Sequence, residues 1–315
     1  MNSNPLFCTQ CGKSIVSGAS FCAYCGSVVK IPSPREVRRS IPIPDRDTLS
    51  GTCTVIYTGL REMDVRRVGR LVAEAVGQPL PDVTRAMRTS KGFLASGLPV
   101  GRAVALAEKA EQELKEAILV IPDGKCVPLP SAMRMRHAVM DGEGLRCDAY
   151  TWNMTDHIAA SWDAVFLIAC GRLQLEEVVE ERDFSATKSG LFGGRQSSVQ
   201  THVHHEYLLD IILHDPDAEP NGEGWQRLRL DHNTTGFSLT ELKQDPEERA
   251  GPLFRSSVNL ERFAIGAPMN RGVSLLAAGA SDAAWEPLTF LTKRDFDTYT
   301  HWLMQLVRYG YPISD

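Results

Sequence analysis

Residues 8–29 read CTQCGKSIVSGASFCAYCGSVV, two Cys-x-x-Cys-Gly pairs separated by ten residues. A segment this short cannot bury a hydrophobic core of its own, so its order has to come from the cysteines. The two-residue gap lets both sulfurs of a pair turn toward one point, and Gly12 and Gly26 supply the positive φ that each tight knuckle needs. Two facing knuckles make a tetrahedral set of thiolates from Cys8, Cys11, Cys22 and Cys25, which suits Zn²⁺. Binding of such an ion contributes on the order of 10 kcal/mol of folding free energy, and Phe7, Val16 and Phe21 then serve to cover it. The competing reading is a pair of disulfides, which needs an oxidising compartment. The opening MNSNPLFC lacks the basic start and apolar run of an export signal, so a cytoplasmic location and the metal are expected.

This stretch resembles the small zinc ribbons at the front of many bacterial proteins, with four cysteines and two glycines at matching positions. The resemblance implies a closed structural site with no coordination position left for a substrate. Cys53, Cys126, Cys147 and Cys170 stand alone in apolar or strand-like surroundings and read as buried core thiols.

A chain of 315 residues exceeds what one compact core usually organises, so a multidomain α+β protein is expected. Its divisions are a zinc ribbon over 1–29, a proline-rich basic linker over 30–51, an α/β module over 52–122 and a β-rich domain over 123–315. The longest apolar run, Ala164 to Cys170, falls far short of the roughly 20 residues that cross a bilayer. Charge is uneven. Residues 1–47 carry six Lys/Arg against three Asp/Glu, whereas residues 131–315 carry seventeen against twenty-seven. The acidic back half is repelled by phosphate backbones, so nucleic-acid contact is open only to the front.

In the linker, Pro32, Pro34, Pro42 and Pro44 fix φ and remove donors, which predicts an extended tether that separates rather than packs. From Thr52, TCTVIYTGL alternates as a strand does. Helical spacing follows, with Val65, Val68, Val72, Ala75 and Val76 on one face and Arg66, Arg67, Arg70 and Glu74 on the other, ending at Gly77. A short helix around 81–88, a long one over about 100–117 and the strand ILVIP give two strands and three helices. This order, with Val68, Val72, Gly77, Leu80, Leu94, Gly97, Ala103 and Leu106 at matching positions, is similar to the C-terminal domain of the bacterial ribosomal stalk protein. The resemblance implies a protein-docking fold in which the first helix presents basic residues to translational GTPases. Arg70 keeps that character here, while Ala73 replaces a neighbouring arginine and Gly77-Gln78-Pro79-Leu80 replaces a Gly-Leu-Gly-Leu bend. A solvated helix face is the plainer account of these arginines.

Strands dominate from Ser131: a hairpin around 141–144, a buried strand in WDAVFLIACGRL, a long alternating one in THVHHEYLLDIIL, then RLRLDH and GVSLLAAG. A helix is expected near 258–264. Thr292 and Asp295 are spaced as a capping box ahead of a terminal amphipathic helix. Meandering strands followed by one helix resemble a bacterial pleckstrin-homology-like domain.

Two further segments could carry chemistry. Alternation places His202, His204 and Glu206 on one strand face, and imidazoles two apart can chelate a transition metal, although no fourth ligand is identifiable. KSGLFGGRQS at 188–197 invites comparison with a phosphate-cradling loop, but its glycines are one residue too close and no Lys-Ser/Thr pair follows. It reads as a hairpin tip or a partner-contacting loop. No nucleophile elbow, metalloprotease helix or dinucleotide fingerprint is present, so no catalytic residue is assigned and an enzyme is not expected. The functional expectation is a zinc-binding adaptor or scaffold for protein partners. The alternative is a nucleic-acid or ribosome-associated regulator that places Lys13, Lys30, Arg35, Arg38 and Arg39 on phosphates. A third reading, an enzyme in the C-terminal region, requires a pocket that gathers His202, His204, Asp231 or His232.

Overall fold

The computed structural model describes residues 6–7, 14–15, 41–60, 63–150, 155–182, 197–215, 224–231 and 252–313. The chain opens with two short strands, β1 (Leu6–Phe7) and β2 (Ser14–Ile15). The α/β module comprises β3 (Thr52–Tyr57), α1 (Val65–Val76), α2 (Leu80–Ser90), β4 (Phe93–Pro99), α3 (Val100–Leu114) and β5 (Ile118–Pro122). Its sheet has three strands in the order β4-β3-β5, one more than the sequence suggests. The overlooked strand β4 reads FLASGLP, and its Gly97 and Pro99 look like breakers. An edge strand tolerates both, because Pro99 needs no outer partner and Gly97, at φ +71°, sits where the register against β3 shifts. Asp64 caps α1 by accepting from the Arg66 and Arg67 amides, and Gly77 ends the helix in the left-handed conformation. Val68 and Val72 face a core completed by Val55, Met87, Leu94, Leu106 and Val120.

The larger region contains β6 (Ala132–Met140), β7 (Gly144–Tyr150), β8 (Thr155–Ser161), β9 (Val165–Arg182), β10 (Ser197–His214) and β11 (Trp225–Asp231). These are followed by α4 (Pro252–Phe263), α5 (Arg271–Ala277), α6 (Asp282–Trp285), β12 (Thr289–Phe290) and α7 (Lys293–Arg308). All seven strands form one mixed sheet ordered β12-β9-β10-β11-β6-β7-β8, with parallel pairing where β11 meets β6 and β12 meets β9. GVSLLAAG, expected as a strand, is α5 instead. A short apolar run fits either period, and here Gly272 lets the helix start press against the Cys170 carbonyl, where a Cβ would come within 2.2 Å. The adjoining Asn270 stands in for a strand partner. Its side chain accepts from the Cys170 amide at 2.8 Å and donates to the Cys170 carbonyl at 2.9 Å, closing part of the β9 edge.

Alternation along β10 sorts the two faces of this sheet. Leu209, Ile211 and Leu213 look toward α4–α6 with Trp285 and Leu260, whereas Leu208 and Ile212 look toward α7 with Phe296, Leu303 and Leu306. The α7 side does not stop at this sheet. Ile56, Leu119 and Ile121 from the α/β module belong to the same buried cluster. The Trp302 indole donates to the Tyr57 carbonyl at 2.7 Å, and Gln305 and His301 both donate to the Val127 carbonyl, at 2.7 and 2.8 Å. The anticipated capping box is in place, with Thr292 and Asp295 exchanging side-chain and backbone hydrogen bonds.

The linker departs from the tether its prolines suggest over residues 41–50. The Ile41 amide donates to the Arg308 carbonyl at 2.9 Å, and Ile41 packs on the α7 cluster. Arg46 grips both carboxylate oxygens of Glu111 and the Ile118 carbonyl, which holds the Glu111 carboxyl below the usual carboxylate range. Proline excludes the segment from a sheet but not from lying against one, and the contacts here run through side chains and a single amide.

Gly92 lies where the two units touch. Its φ is +117°, and a Cβ there would fall 2.3 Å from the Trp302 indole nitrogen. Gly92→Ala is therefore expected to lower stability by about 1–3 kcal/mol through backbone strain alone, with overpacking against Trp302 in addition. Gly124→Ala, whose added methyl would meet nothing within 4 Å, serves as the control. Urea midpoints of the two variants at equal m-value check the difference.

Candidate metal centre

The first cysteine pair is framed by a two-stranded hairpin. β1 and β2 are antiparallel, with Leu6 opposite Ile15 and Phe7 opposite Ser14. In the sequence Cys8 and Cys11 fall among the six residues between Phe7 and Ser14. Cys8, Cys11, Cys22 and Cys25 themselves lie outside the described residues, and so do the linker residues 30–40.

The other candidate ligands are not drawn together. On β10, His204 is exposed while Glu206 is 8% exposed, and the His202 side chain lies outside what is described. Among the described residues no group of three or more His, Cys, Asp and Glu could hold a metal ion. Asp231 stands opposite Leu208, four positions along β10 from His204, which is roughly 13 Å at strand spacing. It pairs instead with Arg134 at 3.8 Å and Lys293 at 3.7 Å. His232 and residues 188–196 lie outside the described residues. The remaining thiols behave as core groups: burial pushes Cys126 up to about 11 and Cys147 up to about 12, and it also raises Cys53 and Cys170. Cys126 approaches the His301 ring nitrogen Nε2 at 4.0 Å, but that nitrogen is committed to the Val127 carbonyl, so the thiol has no base to activate it. On α1, Arg66, Arg67 and Arg70 are exposed, and Arg67 pairs with Glu113.

The most concentrated charge is one the sequence motifs do not announce. Asp210 on β10 is fully buried on the α7 side, directly opposite Arg229 on β11. Its carboxylate accepts from Arg229 Nε at 2.7 Å and from Arg227 Nε at 3.0 Å, and Asp297 of α7 accepts from Arg229 at 2.6 Å and from Arg227. Burial works to raise the Asp210 pKa, but the two guanidiniums outweigh it and hold the carboxyl below the usual range. Arg229 also lies over the Phe296 ring at 5.4 Å. The signal in the sequence is RLRLD, in which arginines at every second position face the same way as a lone aspartate amid LLDIIL. This arrangement positions α7 and closes the Asp210 carboxylate off between two guanidiniums.

Asp210→Asn leaves two buried guanidiniums short of a counter-charge and is expected to cost about 3–5 kcal/mol. Because the folded pKa lies below the unfolded value of about 3.9, the contribution of Asp210 is complete above that value and fades as pH falls through the folded pKa. Stability curves against pH should therefore show a smaller acid-side slope in the variant.

Residues 7–29 match the family model of the zinc-ribbon domain, a span that includes all four cysteines. No curated protein and no solved structure matches the chain, and the α/β module and the large sheet are therefore not identified by similarity. Among the described residues no helix is long and apolar enough to cross a membrane. The donor set fits zinc: four thiols in two Cys-x-x-Cys pairs supply the four soft ligands a tetrahedral structural site takes. The expected metal content is one zinc per chain by elemental analysis. Cys22→Ser should lose it and expose residues 6–15 to proteolysis, while leaving the thermal transition of the body in place.

Proposed function

We propose that this protein is a non-enzymatic adaptor of the cytoplasm, in which a zinc-ordered ribbon recognises a protein partner and a rigid α/β and β-sheet body carries it. The observation that supports this most directly is the four-cysteine set within the span matching the zinc-ribbon domain. Four thiolates complete the coordination of the ion, so the metal orders a recognition surface and has no vacant position for chemistry. Support from the body comes from how its reactive groups are used. The high thiol pKa values, the commitment of His301 to a backbone carbonyl and the closure of Asp210 between two arginines leave each of these groups in a structural role. The antiparallel runs β6-β7-β8 and β9-β10-β11 and the terminal helix α7 support counting residues 123–315 as pleckstrin-homology-like, with the parallel β11–β6 pairing and helices α4–α6 departing from that order.

The test is affinity purification of the intact chain from its native cell with and without a strong chelator, with proteins and nucleic acid both identified. A salt-insensitive protein partner that is lost with the metal is expected. Recovery of RNA whose retention falls steeply with salt would instead favour the basic front end as a nucleic-acid contact. Retention of the same partner after zinc removal would move recognition to the body.

A further inference from the structure

The strands β9 and β10 are each eighteen residues long, far longer than their neighbours. Among the described residues, β11 accompanies β10 over Leu208–His214 and β12 accompanies β9 over Arg172 and Leu173. Beyond these pairings β9 and β10 continue together in unbroken register from Gln174–His205 to Arg182–Ser197. The nine pairs of this ribbon extend over roughly 30 Å beyond the described β11 and β12 pairings. Among the described residues nothing pairs with its outer edges. A two-stranded ribbon is marginal alone in water, and an open strand edge is a template for another strand.

The two edges differ in charge. On β9 the ribbon carries Glu176, Glu177, Glu180 and Glu181, the kind of charge that keeps edges apart. On β10 residues 197–205 read SSVQTHVHH, without a single Asp, Glu, Lys or Arg, and Val203 is 53% exposed. This run is also self-complementary. Val199, Thr201 and Val203 are β-branched at every second position, with polar residues between them. Turned end for end about Thr201, the segment sets Val199 against Val203 and Thr201 against itself, which are favourable cross-strand pairs.

We infer that the 197–205 edge of β10 is a homodimer interface, where a second copy of the chain adds antiparallel about a two-fold axis through Thr201. The two ribbons then form one four-stranded sheet with the acidic β9 strands outside. An isologous contact of this kind closes after two copies, so it makes a dimer and not a fibre. Self-association at this edge is independent of what the zinc ribbon recognises.

Sedimentation velocity of the intact zinc-loaded chain over a concentration series, combined with hydrogen exchange, tests it. The expected result is a doubling of sedimenting mass as concentration rises, with slowed exchange in the 197–205 peptide over the same range. Thr201→Lys/Val203→Lys should remain monomeric, because an edge lysine disfavours pairing without removing a ladder hydrogen bond. Thr201→Cys should yield a cross-linked peptide joining position 201 to itself under mild oxidation. A control, His205→Cys, should not, since its two copies would lie roughly 26 Å apart. A chain that stays monomeric throughout, or a dimer whose new protection lies away from 197–205, would overturn the inference. If the double-lysine variant does not fold, exchange in the unmodified chain decides the matter by itself.

Discussion

The two sheets of the body meet on one helix. Along one side α7 covers the large sheet through Phe296, Leu303 and Leu306, and along another it receives Ile56, Leu119 and Ile121 from the small one. The Trp302 hydrogen bond to Tyr57 marks the crossing. Two sheets that would each have exposed an apolar face thereby share a single covering layer, so loosening α7 uncovers both. That arrangement couples a local α/β motif ending at Pro122 to strands that begin only at Val165, and the coupling runs through side chains of one sixteen-residue element.

The helix is placed by charge as well as by apolar packing. Burial of Leu and Phe side chains favours close approach but tolerates sliding, because dispersion and hydrophobic burial are non-directional. Asp210, Arg227, Arg229 and Asp297 add direction, since guanidinium forks and carboxylates meet well in few geometries. A buried ionic set is costly to desolvate, and its value here is in fixing how α7 lies across β10 and β11. Residues 7–29, which match the zinc-ribbon domain, belong to a class of segment that metal–thiolate bonds order in the place of buried area.

Local patterns were legible in the sequence where a single rule decided them. The capping box at Thr292 and Asp295, the left-handed stop at Gly77 and the turn before Gly144 each depend on a few neighbouring residues. Features settled by tertiary neighbours were not. β4 is a strand because β3 lies beside it, despite Gly97 and Pro99. GVSLLAAG is helical because Gly272 and Asn270 fit against β9. Residues 41–50 lie on the body because Arg46 finds Glu111, a partner sixty-five positions away that no local window contains. The zinc-ribbon match was the reverse case, since the Cys-x-x-Cys spacing that carries it is complete within four residues.

The bond from Ile41 to the carbonyl of Arg308 fixes where the front of the chain departs from the body, at the last turn of α7. Eleven residues, 30–40, separate that anchor from the end of the cysteine segment, and a fully extended chain of that length spans at most roughly 40 Å. The ribbon is thus on a short leash, pegged beside the seam between the two sheets. The cysteine segment is therefore kept within that radius of the seam, at a local concentration set by the covalent tether.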